Sequence, residues 1–268
     1  MPKDDYVSLD ELAQYVGLEL HDTREYVRKL GITPHKQRIP NSAGRLTLAI
    51  TREEADEVVR EWTNQWLDHV HNLEYLANAQ HVEILKQGVK AWNQWRLGNP
   101  VVRPDLRGVS MQGVDLNRID LRNTDLQNVN FYQASLVQAD FSGANLTSAG
   151  FGEATLGNAR FVGADLHDAI LMKAHLYGVD FTDAILSGAK LHGANLENAV
   201  LRELNLVGQW ITSANLKNAD LHGADLSGAN LQGANLQGAD LSNAILCNAD
   251  LQGAQLVGTN VEGADLAT

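Results

Sequence analysis

The chain has 268 residues, 44% of them hydrophobic but only 6% aromatic, with a formal net charge of −12. The apolar share excludes wholesale disorder, no run approaches the roughly 18 apolar residues of a membrane helix, and the single Cys247 excludes a disulfide framework or a multi-cysteine zinc site. Taken whole, the acidity argues against non-specific binding to nucleic acid or acidic membranes. The opening MPKDDYVSLDE has no apolar run after its Lys, so no secretory leader is read there and a cytoplasmic protein is expected.

Averages hide a division. Residues 1–102 carry 12 basic and 15 acidic groups, whereas residues 103–268 carry 9 and 18. Four of the five Trp precede residue 100 and all five Phe follow residue 130. Three segments are expected: 1–50, 51–100 and 101–268.

In the first segment, Ser8 followed by Glu11 forms a capping-box pattern, and a short helix is expected to end at Gly17. Asp22 and Glu25 open a second helix that Gly31 closes. Residues 35–39 and 45–50 flank Pro40-Asn41-Ser42-Ala43-Gly44, a hairpin signal. Residues 23–46 hold six basic groups and one acid, Glu25. The order of helix, turn, helix and hairpin resembles winged helix-turn-helix domains of the MerR and excisionase type. That resemblance implies DNA contact through the second helix and the wing, with Thr23, Arg24, Arg28, Lys36, Arg38 and Arg45 as candidates. Such domains also serve as protein-interaction modules, and both roles stay open.

Thr51 caps the second segment, with Glu54 three residues later, and a long helix is expected to about residue 78. Ala55, Val59, Trp62, Trp66, His69, Leu73 and Leu76 follow a four–three spacing, suited either to packing within the chain or to a homodimer seam. A further helix is expected from about His81 to Arg96, with Trp92 and Trp95 as lid residues over the start of the third segment. Asp68, His71 and Glu74 have one-face spacing but read as a solvated helix face rather than a metal site.

From Leu106 to Leu266 an apolar residue recurs at every fifth position, 33 times without a break; 25 are Leu and five are Phe. Two residues before this centre, 23 of the 33 positions are Ala. Period five fits neither a helix nor a flat strand. It fits a chain that turns a corner every five residues, so that four sides close a coil of about twenty residues stacked at roughly 4.8 Å. Leu126, Phe131, Phe141, Phe151, Phe161, Phe181, Leu226 and Leu236 then belong to the rod core. Ala is small enough to sit near the axis, and Gly or Asn after the centre suits a tight turn.

Units such as Ala224-Asp225-Leu226-Ser227-Gly228 resemble the A-(D/N)-L-x-x repeat of the pentapeptide-repeat family. The resemblance covers about residues 104–268 and implies a mainly β solenoid: a right-handed quadrilateral parallel β-helix of about eight coils, about 40 Å long, behind an α-helical winged-helix-like head. Val109, Val114, Ile119, Thr124 and Val129 replace Ala early, so the first coils are expected to be wider or less regular. Arg107, Arg118 and Arg122 are expected to make them basic. Leu204 and Gln209 also replace Ala, and Trp210 stands where Asp or Asn is usual. Trp210 reads either as packing over a swollen coil or as a partner-binding hot spot.

No catalytic, cofactor or metal constellation emerges, and a non-enzymatic protein is expected. The family resemblance implies a rod that imitates DNA and binds a DNA-handling protein such as DNA gyrase, as fluoroquinolone-resistance members do. The candidate partner-binding residues are Asp165, Asp180, Asp220, Asp225, Asp240 and Trp210. The other readings are a transcriptional regulator using the winged domain and a plain scaffold. The last coil ends at Asp265-Leu266-Ala267-Thr268, and an end-to-end dimer is one expectation for it.

Overall fold

A computed structural model describes residues 6–9, 24, 27–38, 46–51, 54, 55, 58 and 77–267. The chain divides into two compact units, Met1–Asp68 and His69–Thr268.

The first unit holds a three-stranded antiparallel sheet of order β1-β3-β2: β1 Tyr6–Ser8, β2 His35–Arg38 and β3 Leu46–Thr51. His35 pairs with Ala49 and Arg38 with Leu46, the hairpin expected from the sequence. β1 was not expected; it pairs Tyr6 with Thr51 on the other edge of β3. Residues 27–29 are helical. They end in a Schellman turn, with Gly31 N–H donating to Arg28 O and Ile32 N–H to Val27 O. Gly31 has φ +76°, which a Cβ would oppose. The capping box at Thr51 forms: its N–H donates to Glu54 Oε2 at 2.7 Å, and Glu54 N–H donates to Thr51 Oγ1 at 3.2 Å. The first predicted helix beyond Leu9, and the seam residues from Val59 to Leu76, lie outside the described residues.

The described part of the second unit opens with α1 (Ala79–Lys86) and α2 (Val89–Gly98). One helix was expected here. Gly88, at φ +94°, divides it, because the apolar spacing continues across the break while the backbone does not. α2 seals the first coil. Trp92 is fully buried and its indole N–H donates to Asp120 O at 2.7 Å. Asn93 brackets the same strand, donating to Arg118 O and accepting from Asp120 N–H, both at 2.9 Å. Arg96 donates to Val102 O and Arg122 O. Trp92 and Trp95 are thus lid residues, with ring centroids 5.3 Å apart.

From Leu106 the chain turns a corner every five residues. The residue two after each centre has positive φ at every repeat from Gly108 to Gly263. The residue three after the centre donates back to the centre carbonyl, as Ala134 does to Phe131, at every repeat except at Leu204. Positive φ at the third turn position is the type II geometry, which explains Gly and Asn there. The residue before each centre forms a parallel bridge to its equivalent twenty positions on, starting with Asp105↔Asp125. Four ladders result, one on each side of a square coil, beginning at Asp105, Ser110, Asp115 and Asp120.

The centre residues and their Ala partners face inward. Leu126, Leu226, Leu236 and all five Phe have no exposed surface. Phe131 stacks on Phe151, and Phe141 on Phe161 and then Phe181, with centroids 4.8–5.1 Å apart; the two columns meet edge to face at 5.7–5.8 Å. These aromatic contacts add to area burial. The early coils do not lose regularity: bridges and turns run unbroken past Val109 and Ile119, both buried.

Among the described residues the ladder opens in one place. Ile185 and Asn205 are the stacked pair without a bridge. Asp183 does not donate to Arg202, nor Leu186 to Asn205, nor Gly188 to Val207, nor Asn205 to Ala184, and on the next side Leu191 does not donate to Trp210 nor Trp210 to Ala189. Their equivalents one coil earlier do bond: Gly163 to Thr182, Leu166 to Ile185, Asp168 to Ser187 and Ile185 to Ala164. The opening coincides with Leu204 and Gln209, both buried where Ala is the rule. Gln209 Nε2 donates instead to Leu186 O at 2.8 Å. Both side chains are larger than Ala and lie on the inner side of the coil where the opening occurs.

Candidate functional site

Each Asp or Asn before a centre residue is at least partly exposed except Asn130, which is buried, and the backbone puts all of them to use. Asp180 Oδ1 accepts the Thr182 N–H at 3.0 Å, and Asp165, Asp225 and Asp240 accept the equivalent N–H two residues on, each at 3.0 Å. Asp220 accepts from His222 at 3.2 Å. This local Asx hydrogen bond satisfies the amide entering each corner, so the repeat selects Asp or Asn for the turn first. The second carboxylate oxygen is left for the surface. The Ser242 hydrogen bonds hold Asp240 below the usual carboxylate range.

Stacking sorts the candidate acids. Asp180, Asp220 and Asp240 lie on the ladder that begins at Asp120; Asp165 and Asp225 lie on the next side, which begins at Asp105. All five therefore occupy two adjacent sides of the rod. Trp210 is half-buried on a third side, bridged to Lys190 and Asn230. Burial pushes the Lys190 ammonium down, against the pull of Asp168.

Charge is unevenly distributed along the rod. Near α2 the carboxylates are paired: Arg107 with Asp105 at 2.8 Å, Arg122 with Asp120 at 2.7 Å and with Asp140 at 3.9 Å, and Arg160 with Asp140 at 3.8 Å. The hydrogen bond from Arg107 lowers the Asp105 pKa. Burial opposes ionisation of Asp120, but its hydrogen bonds with Arg122 outweigh it and the pKa falls. These first coils are therefore neutralised, not basic as expected, because Arg107 and Arg122 each lie two residues after one Asp and reach a second Asp on the next coil, and Arg160 meets Asp140. Residues 103–163 hold five basic and six acidic groups; residues 164–268 hold four and twelve. In that second stretch Arg202 meets Asp220 at 3.4 Å, while Asp165, Asp180, Asp225 and Asp240 form no ion pair among the described residues. The arginine pairings were missed in the sequence; a basic residue two after an Asp, read against the Asp twenty positions on, is the signal that finds them.

Of the basic candidates in the head, Arg24 and Arg28 fall on helical residues, Arg28 exposed, and Lys36 and Arg38 fall on β2. Thr23 and Arg45 lie outside the described residues, as do Asp68, His71 and Glu74. Among the described residues no group of three or more His, Cys, Asp or Glu is placed to hold a metal, and no helix is long and apolar enough to cross a membrane.

The family model for pentapeptide repeats matches in eight copies over residues 105–266. The chain belongs to the pentapeptide repeat family. Its rod is accordingly a right-handed β-helix solenoid, in a family whose members typically serve as structural or binding proteins. Among solved pentapeptide repeat structures, HetL from the cyanobacterium Nostoc sp. strain PCC 7120, involved in heterocyst differentiation regulation, is 30% identical; the match covers 65% of this chain and 94% of HetL with a TM-score of 0.31. Trypsin-treated QnrB1, a plasmid-mediated fluoroquinolone resistance protein, is 22% identical over 56% of this chain and 87% of its own, with a TM-score of 0.43. Rfr23 from the cyanobacterium Cyanothece 51142 is 24% identical over 65% of this chain and 96% of its own, with a TM-score of 0.13. No curated protein matches the chain.

Proposed function

We propose that this pentapeptide repeat protein is a non-enzymatic binding rod. Its acidic half, residues 164–268, takes the place of DNA in the basic groove of a DNA-handling protein. The observation that carries this reading is the set Asp165, Asp180, Asp225 and Asp240: carboxylates on two adjacent sides, each oriented by a backbone N–H and none in an ion pair among the described residues. A groove built to receive phosphates recognises such an array by charge complementarity, and binding of this type weakens steeply with salt. Trp210, on a neighbouring side, supplies an aromatic contact.

DNA gyrase is the partner we single out, on the family resemblance to fluoroquinolone-resistance rods. The test is gyrase supercoiling with the purified full-length protein, with and without a quinolone. A concentration-dependent change in supercoiling, or protection from the drug, supports gyrase. No binding at low salt and no change in either assay removes it.

A further inference from the structure

The strands at residues 183–188 and 202–208 are stacked neighbours that regular ladder bonding does not join. Each strand is fully bonded on its outer side: Ile185 N–H donates to Ala164 O at 2.9 Å, and Leu206 N–H to Asp225 O at 2.7 Å. The main-chain bonds are missing on the side where they face each other, at the corner between Leu201 and Leu204, and on to Leu191 and Trp210 on the next side. The interior there is built from Leu204 and Gln209, 4% and 5% exposed. Outside, Ile185 and Val207 stand 51% and 49% exposed at the two lips of the opening.

We propose that this seam is a hinge within the rod, with Gln209 as its latch. Elsewhere in the ladder, separating two coils breaks a row of interstrand hydrogen bonds. Along this seam those bonds are already open and the link across the gap is the side-chain amide of Gln209 on the Leu186 carbonyl, while the other sides of the same coils stay bonded, as Leu196 N–H is to Asn215 O and Leu201 N–H to Asp220 O. The hinge lies within the acidic stretch, with Asp165 and Asp180 on the α2 side of it and Asp225 and Asp240 beyond it. The inference rests on the ladder and its two inward side chains, and it does not depend on the partner.

Hydrogen exchange on the full-length protein tests it residue by residue. The amides of Asp183, Leu186, Gly188 and Asn205 are expected to exchange at least about tenfold faster than those of their equivalents Gly163, Leu166, Asp168 and Asp225, since opening the seam costs less than opening a bonded coil. Equal protection of the two sets overturns the hinge. The double variant Leu204→Ala, Gln209→Ala returns the coil to the repeat rule and is expected to bring the fast set down to its neighbours' rate. If those amides stay fast in a folded double variant, the two side chains do not hold the seam open and the proposed latch is wrong. The measurement on the unaltered chain stands even where that variant fails to fold.

Discussion

The indole N–H of Trp92 donates to the carbonyl of Asp120 at 2.7 Å, fastening α2 to the first coil. The contact closes one end of the solenoid, where an open coil leaves sheet-edge groups for another chain to pair with. Trp92→Ala is therefore expected to destabilise the rod by about 3–5 kcal/mol through lost burial. Trp92→Phe keeps most of the packing and loses the hydrogen bond, at about 1 kcal/mol. Denaturant unfolding of the two variants, with the β signal followed by circular dichroism, checks the order. Equal effects would show that the hydrogen bond, not the packing, carries the cap.

Corner glycines are expected to differ by what their neighbours must do to admit a Cβ. Gly238 and Gly228 share a positive φ, +67° and +64°. A Cβ on Gly238 would meet Asn218 Oδ1 at 2.5 Å, whereas a Cβ on Gly228 meets nothing within 4 Å. Gly228→Ala should cost about 1 kcal/mol, the price of the left-handed backbone, and Gly238→Ala slightly more, because the exposed Asn218 amide must swing aside. Adding Asn218→Ala to Gly238→Ala should recover the excess. A double-mutant cycle by thermal unfolding measures that coupling.

Acid should loosen the arginine-paired coils. Asp105 and Asp120 have depressed pKa values in the folded chain, so their contribution is full above the unfolded value of 3.8 and is lost as pH falls through the lower folded values. Stability should be flat in this respect near neutrality and fall below about pH 4. Arg107→Gln and Arg122→Gln should flatten the acid limb, because the carboxylates then titrate nearer their ordinary values. Denaturant midpoints measured from pH 2 to 7 give the comparison.

Charge and structure can be separated at the acidic sides. Asn keeps the Asx hydrogen bond and removes the charge, as Asn230 demonstrates by accepting the Gln232 N–H at 3.1 Å. Asp165→Asn, Asp180→Asn, Asp225→Asn and Asp240→Asn together should leave the melting temperature nearly unchanged while weakening partner binding and lowering its salt dependence. Asp225→Ala should instead cost about 0.5–1.5 kcal/mol by freeing the Ser227 amide. Partner affinity unaffected by the fourfold Asn variant would end the DNA-imitation reading.

The solenoid was legible because its rule is local: five residues fix a centre, a small neighbour and a corner, so every Phe column followed from counting by twenty. The seam was half legible. Leu204 and Gln209 stood out as departures, but their effect depends on how far two stacked strands separate, which spacing does not express. The neutral first coils were misread because Arg122 finds Asp140 only after the coil has closed. The break at Gly88 was hidden by apolar spacing that runs through it, and β1 by its three-residue length. The charged sides were foreseen as a consequence of the repeat, whereas their division between paired and unpaired acids appears only when the stack is assembled.

The stacking interval of twenty residues sets how such a chain can vary in length. Removing or adding twenty residues within the regular coils leaves every later side chain on its original side of the rod. Removing five keeps the core pattern intact yet turns everything beyond it by a quarter revolution. Asp225 would then move onto the side that carries Asp180, and Asp240 would leave both of the sides that carry Asp165 and Asp180, while Leu and Ala would remain inside. Lengths that fold are therefore far more numerous than lengths that keep one recognition surface, and alignment of that surface restricts insertions and deletions in the rod more tightly than stability does.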